Sequence, residues 1–78
     1  MNRYFFDLHN GNGLTRDDEG VEIASRETIA QEVARILVDV AREELPAGNR
    51  TVISVTVRNE AGKTISTASL TFDSQWLE

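Results

Sequence analysis

His9 is the only histidine in the 78-residue chain, and Asp7 stands two positions before it. On an extended backbone these two side chains share a face, so the carboxylate is placed to orient the imidazole as a base. A base needs something to act with. The chain has no cysteine, no second histidine and no serine in a nucleophile-elbow setting, so neither nucleophilic catalysis nor a histidine- or thiolate-based metal centre is assembled. The pair therefore reads as surface or hydrogen-bonded strand residues.

The stretch from Asn10 to Glu19, rich in Asn, Gly and Asp, invites comparison with a calcium loop. An EF-hand needs oxygen ligands at its first, third and fifth positions around a glycine at the sixth. Setting Gly13 at the sixth position puts Leu8 at the first, and setting Gly11 there puts Phe6 first; neither register works. A looser cation site at Asp17-Asp18-Glu19 has a solvated acidic turn as its simpler reading. Gly11 and Gly13 do not make a phosphate loop, because Arg16 occupies the place of the third glycine and no helix follows directly. Arg35 and Asp39, four apart, form a solvated ion pair on a helix. No catalytic, cofactor-binding or metal-binding residue is assigned, no cofactor is expected, and the chain is not read as an enzyme.

Composition narrows the setting. Apolar residues make up 40% and charged residues 27%, values of a globular chain rather than a disordered one. A chain of 78 residues is one domain, 1–78, with a small core. No disulfide or thiolate metal site can support that core, which leaves oligomerisation as the common remaining source of stability. The formal charge of −5 repels phosphate backbones and disfavours nucleic acid. No apolar run approaches the ~20 residues of a membrane span, and Asp7 interrupts the aromatic start before any secretory segment develops. A cytoplasmic protein of bacterial type, with no membrane partner, is the expectation.

The element that must position everything else is Ser25 to Leu45. Ile29, Val33, Ile36, Leu37, Val40, Ala41 and Leu45 recur at steps of three and four, the period of an amphipathic helix. Ala30 and Ala34 flank the stripe, and charged residues fill the opposite side. Ser25 is the expected N-cap, and Pro46 disfavours helical geometry in Leu45. Before the helix, Arg3 to His9 alternates as a strand with Tyr4, Phe6 and Leu8 toward the core. The Asn10-Gly11-Asn12-Gly13 break leads to a short return strand over Leu14 to Asp17, and Asp17 to Gly20 turns again into a brief extended piece, Val21 to Ile23. After the helix, Thr51 to Arg58 is a β-branched strand with Ile53, Val55 and Val57 on one side. Asn59 to Gly62 turns the chain, and Lys63 to Phe72 returns. In that last strand Ile65 is out of phase with Ala68, Leu70 and Phe72. A period of two cannot hold both sets on one face, so a β-bulge is expected around Ser66-Thr67.

The pattern predicts an α+β fold: a single small domain with one amphipathic helix on one face of a mostly antiparallel three- to four-stranded sheet, in the order β-(β)-α-β-β. One helix covers one face. Phe5 and Val52 are left on the other, and Trp76 lies beyond the last strand.

Arg3-Tyr4-Phe5-Phe6-Asp7, Gly13 and Asp18-Glu19-Gly20-Val21-Glu22, with Val57 to Gly62 and Leu70 to Asp73, give the chain a recognisable outline. It resembles a family of short bacterial proteins of unknown function whose members open RYFF, continue through a glycine to a D-x-E-G-x-E-type turn, and close with a helix and a terminal hairpin. Asn59 departs from the acidic residue of that hairpin turn, and the tail with Trp76 is an addition. The resemblance implies a shared fold and supplies no activity, ligand or site residue.

The function is therefore read as unknown in its particulars, and as that of a small non-enzymatic protein-interaction module. It is expected to be a homodimer, with a further protein partner unidentified, and Phe5, Val52 and Trp76 as interface residues. The alternative is a nucleic-acid-binding regulator, which would require Arg3, Arg16, Arg50, Arg58 and Lys63 to gather into one patch. A small-molecule or metal-binding enzyme is the third reading, and it lacks an assembled set of groups.

Overall fold

The computed structural model describes residues 2–11 and 13–78. Six elements follow in order: β1 (Asn2–Asn10), β2 (Gly13–Thr15), β3 (Val21–Ile23), α1 (Arg26–Glu44), β4 (Arg50–Arg58) and β5 (Thr64–Asp73). This is the expected α+β fold with a five-stranded sheet, the brief piece before the helix having paired as β3. The sheet runs β2-β1-β4-β5, and β3 also pairs with β1. Each pairing is antiparallel. The expected turn after β1 includes Asn12, which lies outside the described residues.

The helix begins where Ser25, in extended geometry, accepts a hydrogen bond from the Thr28 N–H at 3.2 Å. It ends where Leu45 turns extended before Pro46, its N–H still donating to the Ala41 carbonyl. Ile29, Val33 and Leu37 from α1 meet Phe6, Ile23, Ile53, Val55 and Val57 to form the core. The three β4 residues of that set are fully buried, because β4 has a strand on each side and the helix above. Burial of an aliphatic side chain of this size stabilises by about 1.5–3 kcal/mol, so this row of three is the centre of the domain.

The bulge lies slightly earlier than expected. Val57 faces Ser66 while Arg58 faces Thr64, so Ile65 is the extra residue. Phase is restored from there: Ala68 and Leu70 face Val55 and Ile53 across the ladder, and Ile65 lines the space beside the helix together with Ala68.

The face away from the helix differs from an apolar one. Ser54 faces Ser69, Thr56 faces Thr67 and Val52 faces Thr71. Between β4 and β5, Val52 is thus set among hydroxyl groups.

Candidate interaction surface

The two edges of the sheet carry its unusual chemistry. On the first edge β1 has two partners in succession. β3 pairs with Asn2 to Tyr4 and β2 with Leu8 to Asn10, which leaves Phe5, Phe6 and Asp7 without a strand beside them. The loop between β2 and β3 fills the interval with a side chain. Asp17 Oδ2 accepts the Phe6 N–H at 3.0 Å, and the Asp17 N–H donates to Asp7 Oδ1 at 3.0 Å. Asp17 Oδ1 also accepts from the N–H groups of Glu19 and Gly20, an Asx-type turn that fixes the loop.

Asp7 is the one buried charged residue among those described, and Arg58 is its counter-ion. Arg58 Nε and Nη2 reach the two Asp7 oxygens at 2.6 and 3.1 Å, and Nη2 donates also to the Asp17 carbonyl at 2.9 Å. This is the bidentate geometry that planar guanidinium favours. The Arg58 hydrogen bond holds the Asp7 carboxyl below its usual range against the opposing effect of burial. At Asp17 burial pushes the carboxyl upward, but the backbone N–H groups of Phe6, Gly20 and Glu19 outweigh it and the result is again lowered. The same contact raises Arg58, through its hydrogen bond to Asp7. Among the described residues no buried side-chain polar atom lacks a partner. The cluster fastens the loop to the sheet.

Gly20 closes this edge. Its φ is +72°, and a Cβ there would lie 2.9 Å from the Tyr4 carbonyl oxygen and 2.9 Å from the Phe5 ring. Only glycine fits both the backbone angle and the space.

The second edge is β5. It runs from Thr64 to Asp73 and, among the described residues, pairs with β4 alone, and no charged residue occurs between its first residue and Asp73. Above it is a groove of about 320 Å³, bounded by Ala30, Val33, Ala34 and Leu37 on α1 and by Ile65 and Ala68 on β5. The helical period extends the apolar flank to Val38, which is exposed. The other flank is charged: Arg35 bonds both Glu32 and Asp39, and the Glu32 contact raises the Arg35 pKa. The apolar arc of the helix is therefore wider than the sheet beneath it, on the β5 side.

The three residues expected at an interface are distributed over different places. Phe5 lies under the Arg58 guanidinium, 5.0 Å from ring centroid to Cζ, so it has a cover within the chain. Val52 is exposed among hydroxyl groups. Trp76 is 85% exposed and its neighbour Leu77 88%, so the tail does not fold back over Phe5. The Ser74 N–H donates to the Asn49 carbonyl, directing the tail past the start of β4.

The basic residues are mostly paired: Arg3 with Glu22, Arg16 with Asp18, Arg50 with Asp73 and Arg58 with Asp7. His9 lies on the open face opposite Ser54. Among the described residues no group of three His, Asp or Glu side chains is arranged to hold a metal ion, and no helix is long and apolar enough to cross a membrane. The Asp7–Arg58 pair was missed by sequence reasoning. Its only signal was an acid and a base on strands whose alternation put them away from the helix.

Residues 3–71 match a family described as a domain of unknown function (DUF6894). No curated protein and no solved structure matches the chain.

Proposed function

The chain belongs to the DUF6894 family of unknown function, and from that premise we propose that it is a small non-enzymatic protein-interaction module that associates with itself through β5. The observation that carries the reading is the contrast at that edge: a ten-residue strand without charge until its last residue, beside an uncovered apolar groove. Exposed edges of this length offer a row of N–H and C=O groups for another strand, and proteins that keep such an edge free usually blunt it with charge, proline or a bulge. Here the bulge at Ile65 sits at one end, and the stretch from Ser66 to Phe72 is regular. The resemblance to short bacterial proteins adds a bacterial, cytoplasmic setting to the proposal.

Sedimentation velocity from low micromolar to near-millimolar concentration tests it. A dimer that forms with increasing concentration is expected, and the double substitution Thr67→Lys/Ser69→Lys should return it to monomer by setting like charges across the paired strands. A single monomeric species throughout would overturn the reading.

A further inference from the structure

Trp76 is the largest exposed apolar side chain described, and it leaves the sheet at the C-terminal end of β5. The apolar groove beside α1 opens at the other end of the same strand. There it runs into a cleft of about 440 Å³ bounded by Tyr4, Arg26, Ile29, Glu60 and Ile65, the groove and the cleft having Arg26, Ile29 and Ile65 in common. Within one chain the two features cannot meet. From Asp73 back to Ile65 is about 26 Å of strand, whereas Trp76, three residues beyond Asp73, reaches about 11 Å at most.

A second copy removes that separation. Antiparallel pairing of β5 with its own copy places the two-fold axis normal to the sheet, so both helices lie on one face and opposed residues must have numbers of even sum. Centred on Ala68, the small residue in mid-strand, the pairing sets Thr67 against Ser69 and Ser66 against Leu70 and, past the bulge at Ile65, brings the β4–β5 turn of one copy beside the Asp73 end of the other. No like charges are opposed. The segment after Asp73 thus starts beside the β4–β5 turn of the second copy, and the about 11 Å that it reaches is enough to carry Trp76 to the cleft there.

We infer that the C-terminal segment of each copy crosses to the other and seats Trp76 in its cleft between the start of α1 and the β4–β5 turn. The inference rests on the proposed self-association and gives it a specific contact. The chemistry of the two surfaces matches. Arg26 is exposed and has no hydrogen-bond or ion-pair partner among the described residues, so its guanidinium is placed to lie over an indole face. Ile29 and Ile65 supply the apolar wall. Glu60 Oε1 accepts the Arg3 N–H, and the second oxygen of that carboxylate suits the indole N–H, which is a donor only. A buried Trp contributes on the order of 150–250 Å² of contact, and two of them by symmetry form the anchors of a small interface.

Trp76 is the only tryptophan, so its fluorescence reports the contact directly in the full chain. Emission and acrylamide quenching are followed over the same concentrations as sedimentation. As dimer forms, emission should move to shorter wavelength and quenching should fall several-fold. Trp76→Ala and Arg26→Glu, both at exposed positions, should each raise the dimer dissociation constant tenfold or more while leaving melting of the dilute chain unchanged. A dimer whose Trp76 stays as quenchable as in the dilute chain, or whose dissociation constant ignores both substitutions, would overturn the crossing segment and leave self-association standing. A monomer at every concentration would end both.

Discussion

Along one side of the sheet, the partner of β1 changes from β3 to β2 across three residues, and Asp17 supplies the hydrogen bond that a strand would have made to Phe6. Along the other side, β5 extends for ten residues with no strand beyond it among the described residues. The first edge is short in both its strands, tightly turned at Gly20 and bordered by Arg16, Asp18, Glu19 and Glu22. These are the features by which sheets avoid pairing with strangers. The second edge has none of them between Ser66 and Phe72. The helix repeats the difference, with an ion-paired flank of Glu32, Arg35 and Asp39 and an apolar flank of Ala30, Ala34 and Val38 toward β5. A single chain thus invests polar groups in closing one edge while apolar surface accumulates at the other.

The closed edge is where substitution should do most harm. Asp7→Ala removes both acceptors of the Arg58 fork and leaves that guanidinium 14% exposed in side-chain terms without its partner. Breaking a buried pair costs about 3–5 kcal/mol, and the residual exposure argues for the lower end, about 3. Chemical denaturation compared with the native chain gives the number; a loss below about 1 kcal/mol would mean that the pair behaves as a surface one. Gly20→Ala follows at about 2 kcal/mol, from the left-handed backbone and the Cβ set against the Tyr4 carbonyl. Arg3, whose side chain also approaches Gly20, can move; the carbonyl cannot.

Acid should weaken the same edge. Asp7 and Asp17 have folded pKa values below the ordinary carboxyl value of about 3.9. The folded state therefore binds fewer protons than the unfolded one in that range. The stability contributed by the two carboxylates is complete above the unfolded value and is lost as pH falls through the lowered folded values. Melting temperature should be level between pH 7 and about 5, then decline steeply below about 4. In Asp7→Asn the decline should be shallower, since one of the two titrating groups is gone.

What the sequence made legible divides along the same line. The helix was readable because its stripe and its boundaries, Ser25 and Pro46, are local. The bulge was readable as a phase conflict between Ile65 and Leu70, but its place was not: an extra residue anywhere between them restores the phase, and only pairing with Val57 and Arg58 selects Ile65. The Asp7–Arg58 contact joins residues 51 apart and depends on β1 lying beside β4, which no local pattern reveals. Phe5 looked uncovered for the same reason, its cover being Arg58. The free edge was equally hidden. Which flank of α1 overhangs β5 follows from the strand order, and the alternation of β5 alone reads as any hairpin strand.

The smallest expected effect is on the open edge, and it is the sharpest check of the contrast. Thr67 and Ser69 are exposed on the hydroxyl face, paired with Thr56 and Ser54 of β4, and among the described residues neither side chain has a hydrogen-bond partner. Replacing both with lysine should change the stability of the isolated chain by about 0.5 kcal/mol or less. Association changes the measurement, because a dimer that forms only from folded chains raises the melting temperature as concentration rises. The native chain should therefore melt higher at near-millimolar than at low-micromolar concentration, while the double-lysine variant should melt at one temperature throughout and coincide with the native chain when dilute. If the dilute chains differ by more than about 1 kcal/mol, the edge is part of the folding core rather than a surface kept for a partner, and the two sides of the sheet are less different than their chemistry makes them.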